Sequence, residues 1–220
     1  MTTPKITIYG SKMATCTQRV LILLEELNLP YKLHEIDLMS GEQHTKEFLK
    51  LNPFGKVPVL RYIESSDETD EEDDENREYM IYESRSILRF LANKHDHEVD
   101  YYPDSKCDMW LEIESQHLNS PLSKIVYEKV FKKMHGESDV DEEIVSGALK
   151  DLDKVLGIYE NQLKQKFISG NTFTIADIVC IPYLTYFVKC QGKDYLKQYP
   201  KVYNWYKRIK SKESVKNILA

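Results

Sequence analysis

The segment NPFGKVP, residues 52–58, has the residue types that can present backbone groups to a ligand. It stands directly before a predicted strand. A proline there cannot donate to the sheet ladder, so Pro58 marks an edge or an exposed strand end. If the Val57–Pro58 peptide bond is cis, the N–H and C=O groups of Val57 turn outward and can pair with an extended peptide ligand. A turn that only starts the strand is the alternative.

Glu83 and Ser84 form a second candidate contact, where a predicted strand ends and a predicted helix begins. Serine is a frequent N-cap residue, and the exposed N–H groups of a first helical turn favour a carboxylate. The carboxylate of Glu83 can accept a hydrogen bond from an ammonium group. The alternative is a capping serine beside a solvated glutamate, with no ligand.

Both segments lie in a part of the chain where predicted strands and helices alternate. Apolar residues recur at helical spacing from Val20 to Leu27, between two runs with the patterns of strands. Strand, helix and strand in succession form a βαβ unit, whose two strands should be parallel. The predicted elements are strands at residues 5–9, 31–37, 57–62 and 79–82 and helices at residues 20–28, 41–51 and 84–94. Their order is that of a thioredoxin-like domain, with the last two strands paired as a hairpin.

Strand signals disappear after a polar stretch at residues 95–104. Apolar residues at helical spacing then predict four helices, at residues 107–134, 142–166, 175–191 and 199–220. The expected fold class is therefore an α/β thioredoxin-like N-terminal domain followed by an all-α C-terminal domain. We place the first domain at residues 1–92, a linker at residues 93–104 and the second domain at residues 105–220.

The charge of the chain is concentrated in one segment. The 220 residues include 36 acidic and 30 basic side chains, for a net charge of −6. Residues 64–78 hold ten acidic residues and one basic residue, so this insert contributes −9 and the rest of the chain carries +3. Its high charge and lack of apolar residues predict disorder. Strand geometry places it at the hairpin end away from Val57 and Glu83. The insert is expected to aid solubility, and weak cation binding or a basic protein partner are the alternatives.

Several protein classes are excluded or disfavoured by the sequence. No apolar run approaches the roughly 18 residues that span a bilayer, and residues 1–9 lack the apolar core of a secretory signal. Four scattered cysteines are too few for a disulfide scaffold or a zinc site. We therefore expect a cytoplasmic protein with no metal and with neither a membrane nor a nucleic acid as partner.

Four motifs in the chain resemble those of cytosolic glutathione transferases, most closely the phi class. NPFGKVP is similar to the class motif NPFGQVP, with Lys56 at the usual glutamine position, and residues 41–55 follow the same class pattern. YESRSILRFLA, residues 82–92, is similar to FESRAI.RYLA. SGNTFTIADI, residues 169–178, matches a helix-start motif of the family. The resemblance spans nearly the whole chain, and the acidic insert is its main departure in length.

In that helix-start motif, Thr174 and Asp177 are expected to form a capping box. Ile175 and Ile178 should then enter the core.

The resemblance implies a site for glutathione in the first domain. Its glycine carboxylate, cysteinyl backbone and γ-glutamyl group would each have their own contacts. Carried over by position, these contacts are Gln43, His44 and Lys56 for the glycine end, Val57 beside Pro58 for the cysteinyl backbone, and Glu83 and Ser84 for the γ-glutamyl end. The Lys56 ammonium would give a charge-assisted bond. His44 replaces the usual lysine, so its help should be weaker.

One functional position of the phi class is changed. The family stabilises the glutathione thiolate by a hydrogen bond from the start of the first helix, and the serine position of the phi class is Ala14 here. Alanine has no donor. The next residues are Thr15, which occupies the serine position of the theta and delta classes, and Cys16.

Three hypotheses follow from this change. The Thr15 hydroxyl replaces the serine, or the Cys16 thiol forms a mixed disulfide with glutathione, or conjugation is lost and a binding or regulatory role remains. A cysteine at a helix N-terminus should be acidified, although cysteine-type enzymes of the family place theirs at the Ala14 position. A zeta-like isomerase is a further alternative.

The resemblance also implies substrates and an assembly. The expected activity is conjugation of glutathione to small hydrophobic electrophiles in detoxification, with glutathione peroxidase activity as a companion. The electrophile site of the family lies between the domains, and its expected lining residues here are Lys12, Met13, Leu118, Leu122 and Tyr127. Family members usually dimerise through the first domain against the second, so a homodimer is expected.

Overall fold

The computed structural model of this chain describes residues 3–64, 77–95, 99–137 and 139–219. Most of the acidic insert, residues 65–76, lies outside this part, so its predicted disorder and basic partner stay predictions. The chain divides into two compact units, a first unit at Met1–Leu91 and a second unit at Ala92–Ala220. The predicted linker at residues 93–104 stays a prediction.

The first unit contains the predicted order of strands and helices. Its four strands form one sheet in the order β2-β1-β3-β4, with β1 parallel to β2 and antiparallel to β3, and β3 antiparallel to β4. The elements are β1 (Lys5–Gly10), α1 (Thr15–Glu26), β2 (Lys32–Glu35), α2 (Lys46–Leu51), β3 (Val59–Ile63), β4 (Glu78–Tyr82) and α3 (Ser84–His95). The thioredoxin-like arrangement is confirmed, and so is the parallel βαβ unit.

Apolar side chains of α1, α3 and the sheet form the core of the first unit. Ile8 and Leu60 of the sheet, Val20 of α1 and Leu88 of α3 have no exposed surface. Each such side chain contributes about 1.5–3 kcal/mol of hydrophobic stabilisation. The start of α1 approaches β1 closely, because a Cβ atom at Gly10 would lie 2.7 Å from Thr17 Oγ1. The packing therefore fixes the first turn of α1 against the end of β1.

The second unit is helical in all of its described residues that have regular structure. Its helices are α4 (Ser105–Ile113), α5 (Asn119–Val126), α6 (Lys132–Met134), α7 (Glu142–Gln162), α8 (Ile175–Ile178), α9 (Ile181–Gln191), α10 (Lys193–Leu196), α11 (Pro200–Lys210) and α12 (Glu213–Leu219). None of the described helices combines the length and apolar character needed to cross a membrane.

The predicted helix at residues 107–134 is continuous, but it contains two π-helical turns, Glu114–Leu118 and Tyr127–Phe131. Side-chain periodicity predicts a helix but not such local widening.

Other predicted limits in the second unit are corrected. The helix predicted at residues 175–191 is divided, since α9 starts with Pro182 in its first turn, where its missing N–H costs nothing. α7 ends at Gln162 instead of residue 166, and the last predicted helix divides into α11 and α12.

A capping box confirms the helix-start motif of the second unit. Thr174 caps α8, and its backbone N–H donates to Asp177 Oδ2 at 3.0 Å. Asp177 Oδ1 accepts from the Ile168 N–H at 3.1 Å and from Trp205 Nε1 at 2.7 Å. Burial raises the pKa of this carboxyl to about 6, against the opposing effect of these hydrogen bonds. The box therefore also ties α8 to α11, and Ile175 enters the core as expected.

Candidate functional site

A small cavity lies in the first unit at one edge of the sheet. β1 ends there, β3 begins there with Val59 opposite Tyr82, and β4 ends there. Both α1 and α3 therefore start at this edge. The cavity has a volume of about 130 Å³, and its lining residues are Cys16, Arg19, Asn52, Lys56, Val57, Pro58, Glu83, Ser84 and Arg85. The cavity thus brings together six residues that the sequence predicts, from separate motifs, to be functional.

Val57 presents its carbonyl at the cavity. The Val57–Pro58 peptide bond is cis, as the outward-turned arrangement requires. The Cys16 thiol donates a hydrogen bond to the Val57 carbonyl, with Sγ and O 3.0 Å apart. A carbonyl oxygen has two lone pairs, so one acceptor position beside the thiol is available to a ligand.

The side chain of Val57 packs against apolar residues of the first unit. It packs against a small buried cluster formed by Ile36, Phe48 and Val59. This cluster links α2 to the sheet beneath the cavity.

Cys16 is a protonated donor at this position. Burial raises the pKa of its thiol, which outweighs the lowering effects of the Arg19 charge and of the backbone N–H groups of Thr17 and Cys16. The expectation that the start of the helix acidifies Cys16 is therefore wrong for this structure. The physical reason is desolvation, which disfavours the thiolate more than the helix terminus and the guanidinium favour it.

Thr15 is the first residue of α1 and does not belong to the lining of the cavity. Only 6% of its surface is exposed. The preceding residue, Ala14, takes the N-cap position in an extended conformation, and its side chain makes no capping hydrogen bond. The start of α1 thus has the backbone of a capped helix without a capping side chain. A role for Thr15 stays a prediction.

A buried asparagine shapes the turn before Val57. Asn52 Nδ2 donates to the Lys56 carbonyl at 2.7 Å, and its Oδ1 accepts from the Phe54 N–H at 3.0 Å. Only 1% of Asn52 is exposed. This closed turn aims the Lys56 backbone inward and leaves its side chain exposed at the cavity.

Gly55 brings two further predicted residues against this turn. Its φ of +59° suits glycine, and a Cβ atom there would lie 2.8 Å from His44 Nδ1 and 3.1 Å from the Gln43 carbonyl. The side-chain Oε1 of Gln43 is buried and has no hydrogen-bond partner among the described residues. Gln43 and His44 therefore stand beside the Lys56 turn, as the glycine-end assignment requires.

Glu83 and Ser84 differ in one respect from the sequence prediction. α3 begins at Ser84, and the Glu83 carbonyl accepts from the Ile87 N–H at 3.0 Å, so Glu83 and not Ser84 takes the N-cap position. Ser84 Oγ instead accepts a hydrogen bond from Arg19 Nη1 at 3.5 Å. Glu83 is exposed and has a φ of +69°. Such a backbone costs about 1–3 kcal/mol and is typical of ligand clamps.

Three lining residues were not predicted from the sequence, namely Arg19, Asn52 and Arg85. Arg19 follows Cys16 by three positions on a predicted helix, so the two share a face, and that spacing was the available signal. Asn52 opens the turn motif and Arg85 follows Ser84. Their burial and direction depend on the folded sheet edge, which periodicity does not describe.

The residues predicted to line an electrophile site lie in both units. In the first unit, Lys12 and Met13 are exposed in the loop after β1, where the Lys12 N–H donates to Glu35 Oε1 at 2.9 Å. In the second unit, Leu118 and Leu122 are core residues with 0% and 1% exposure.

Tyr127 is 39% exposed and lines a groove of about 740 Å³ within the second unit. The shared lining role of these five residues stays a prediction.

Metal binding has no candidate in the described part of the chain, where no group of three or more His, Cys, Asp or Glu side chains could hold an ion. The expected absence of a metal stays a prediction.

Two family models match the chain. The model described as "Glutathione S-transferase, N-terminal domain" matches residues 14–94, and "Glutathione S-transferase, C-terminal domain" matches residues 121–213. Among curated proteins, glutathione S-transferase F13 of Arabidopsis thaliana is 32% identical over 213 residues, covering 93% of this chain and 90% of that protein.

Solved structures agree with these matches. Glutathione transferase F7 from Populus trichocarpa aligns with a TM-score of 0.84 and 30% identity, covering 97% of each chain. Glutathione S-transferase I from Mais, in complex with an atrazine glutathione conjugate, aligns with a TM-score of 0.81 and 26% identity, over 97% of this chain and 96% of that one.

Proposed function

Since the chain belongs to the glutathione S-transferase family and resembles its phi-class members, we propose that it conjugates glutathione to small hydrophobic electrophiles at the first-unit cavity. One observation carries this proposal. The turn that ends at Val57–Pro58 and the strand end at Glu83–Ser84 lie far apart in sequence but open on the same cavity. Each of them has the chemistry that one end of glutathione requires.

The proposed contacts follow from the charges and donors at the cavity. The γ-glutamyl carboxylate binds the Ser84 hydroxyl and the first-turn N–H groups of α3, and the γ-glutamyl ammonium binds Glu83. The cysteinyl backbone pairs with Val57 beside Pro58. The glycine carboxylate binds near Lys56, where Gln43 and His44 complete the contact.

Activation of the glutathione thiol is the step for which the site provides the fewest stabilising groups. A free thiol titrates near pH 8.5, and lowering its pKa by about 2 requires a preference for thiolate of about 2.7 kcal/mol. The first-turn N–H groups of α1 supply part of this. We propose that the Thr15 hydroxyl donates to the sulfur in place of the missing serine. The thiolate then forms a C–S bond with the electrophile, and the leaving group departs with its electron pair.

Binding to immobilised glutathione and turnover of chlorodinitrobenzene test this function directly. The Lys56→Glu variant should bind glutathione at least about tenfold more weakly, because it places two carboxylates together. The matched control is Lys50→Glu, an exposed α2 residue outside the cavity lining, which should behave like the wild-type protein. Absence of both binding and turnover in the wild-type protein would contradict the proposal.

A Cys16-dependent thiol transferase is the second candidate, and the place of Cys16 in the cavity lining favours it. In this reaction the Cys16 thiolate attacks glutathione disulfide, forms a Cys16–glutathione disulfide and releases one glutathione thiolate. The raised pKa of Cys16 opposes it.

Intact-protein mass after exposure to glutathione disulfide separates this candidate from conjugation. An added glutathionyl group that is absent in Cys16→Ser would support it. An unmodified wild-type protein would exclude it.

We also propose a homodimer in which the first unit of one copy packs on the second unit of the other. Phe54, in the turn before β3, is 66% exposed, and the second-unit groove holds the exposed side chains of Tyr127 and Ile144. Covering such apolar surface on association is favourable.

Sedimentation of two variants tests this assembly. Ile144→Glu should give monomers, whereas the control Ile158→Glu, on the same helix but outside the groove lining, should remain dimeric. A monomeric wild-type protein would contradict the proposal. Peroxidase activity, detoxification and a cytoplasmic location remain predictions of the family resemblance.

A further inference from the structure

Arg19 is a buried cation at the cavity that the proposed contacts leave without a role. It lies on α1, only 3% of it is exposed, and it lines the same cavity as Cys16 and Ser84. Arginine is rarely buried to this degree, because removing a guanidinium from water costs several kcal/mol unless partners offset it. Its place in the lining puts a positive charge beside the proposed glutathione site.

The guanidinium acts on two parts of the cavity. On one side, Nη1 donates to Ser84 Oγ at 3.5 Å. On the other side, Cys16 lies one helical turn earlier, and the Arg19 charge is the largest influence that lowers the pKa of its thiol. The Cys16 sulfur is in turn 3.0 Å from the Val57 carbonyl, where the cysteinyl part of glutathione is proposed to pair.

We propose that Arg19 is a positioning residue for glutathione, which stabilises its thiolate by charge and orients Ser84 by hydrogen bonding. This inference rests on the proposed function. Because Ser84 Oγ accepts from Arg19, its own proton is directed to another acceptor, and the γ-glutamyl carboxylate provides one. The guanidinium also carries a positive charge, which attracts a thiolate. Arg19 thus offsets part of the loss at Ala14.

The other charges at the cavity do not duplicate this effect. Lys56 lies on the turn before Pro58, at the proposed glycine end, and His44 packs against that turn. Arg85 belongs to α3 and follows the proposed carboxylate contact. Glu83 raises the pKa of the Cys16 thiol, so it opposes a thiolate at this place. Removal of the Arg19 charge should therefore destabilise the glutathione thiolate more than removal of any other cation that lines the cavity.

Two substitutions separate the two effects of Arg19. Arg19→Lys keeps the positive charge but loses the planar fork that reaches Ser84, whereas Arg19→Gln keeps an N–H donor and loses the charge. The thiolate absorbance of bound glutathione, taken as the difference between samples with and without glutathione over a pH series, gives the pKa of the thiol. Steady-state kinetics give KM for glutathione.

The expected results differ between the variants. In Arg19→Gln the thiolate fraction of bound glutathione below its pKa should fall about tenfold, and kcat should fall with it. In Arg19→Lys the thiol pKa should stay near the wild-type value, while KM for glutathione rises about tenfold. The control is Arg61→Gln, whose guanidinium bonds Glu78 at a half-exposed site on the sheet. It should leave both quantities unchanged.

A folded Arg19→Gln variant with the wild-type thiol pKa would overturn the inference. If Arg19→Gln does not fold, Arg19→Lys decides alone, since a raised thiol pKa or an unchanged KM would also overturn it. Failure of the proposed function gives a different result, because the wild-type protein itself would then neither bind nor turn over glutathione.

Discussion

Two helices of the first unit start at the same cavity, and they differ in the polar side chains and hydrogen bonds of their first turns. α3 starts with Ser84, follows the strained Glu83, and receives a hydrogen bond from Arg19. α1 has the same length of 12 residues, but Ala14 takes its N-cap position without a side-chain hydrogen bond. The end proposed to anchor glutathione is therefore complete, whereas the end proposed to activate the thiol lacks its usual donor.

The difference shows that anchoring and activation are separable within one site. A helix terminus alone stabilises a nearby anion by about 0.3–1 kcal/mol, and rarely by 2. Activation of a thiol by about 2.7 kcal/mol needs more than that. Activation at the start of α1 would therefore need other groups, and the two that we propose are the Thr15 hydroxyl and the Arg19 charge.

The largest expected effect is at the activating helix. Thr15→Ala should lower kcat for chlorodinitrobenzene about a hundredfold, because a donor to the developing thiolate is lost. KM for glutathione should change little, since the anchoring contacts remain. Thr15→Ser keeps the hydroxyl and serves as the control. A Thr15→Ala enzyme with the parent rate would show that Thr15 has no part in activation.

The anchoring helix should show the opposite kinetic signature. Ser84→Ala removes a hydroxyl that is proposed to contact a carboxylate, so KM for glutathione should rise about tenfold to thirtyfold. Its effect on kcat should be smaller. Ser86→Ala, an exposed position on the same helix, is the matched control in the same steady-state assay. If Ser84→Ala lowers kcat but leaves KM for glutathione unchanged, the proposed assignment of anchoring to α3 and activation to α1 would be contradicted.

Restoring the missing side chain should make the two helix starts more alike. Ala14→Ser should stabilise α1 by about 0.5–2 kcal/mol through a capping hydrogen bond, measured by urea unfolding. If the new hydroxyl instead faces glutathione, kcat rises severalfold and the stability gain is small. Ala14→Val adds bulk without a hydroxyl and should give neither gain. A serine variant that matches the valine variant would show that this position has no access to either partner.

The smallest effect is expected from the acidic insert. Its described ends pair away from the cavity, since Ile63 lies opposite Glu78 and the Glu64 N–H donates to the Arg77 carbonyl at 3.0 Å. A variant lacking residues 66–76 should therefore keep its kinetic constants within experimental error. A large loss of activity would contradict this placement.

The sequence was sufficient for features that depend on local pattern. Strand and helix periodicity predicted the order of elements, and spacing predicted the capping box of Thr174 and Asp177. The proline before β3 raised the question of a cis bond, and the Val57–Pro58 bond is cis. These features follow from residue type and short-range geometry. They could be read without knowing which surfaces are buried.

Features that depend on how deeply a residue is buried could not be predicted from local pattern. Cys16 stands at a helix start, which favours a thiolate, but burial raises its pKa. Arg19 has the pattern of a helix-face residue, but the folded sheet edge removes it from water. Leu118 and Leu122 share helical spacing with a proposed ligand surface, yet they belong to the core. Periodicity tells which side a residue faces, whereas desolvation depends on what covers that side.

The hydrogen bond from Trp205 to Asp177 has a spectroscopic consequence. The chain has two tryptophans, Trp110 and Trp205, and both are buried within the second unit. Indole fluorescence therefore reports on the helical unit alone, with Trp205 placed against a buried carboxylate at 2.7 Å. Under the proposed function, the thiolate absorbance of bound glutathione would report on the first unit. The two units can thus be followed by separate optical signals, so a denaturant series can show whether they unfold together or one after the other.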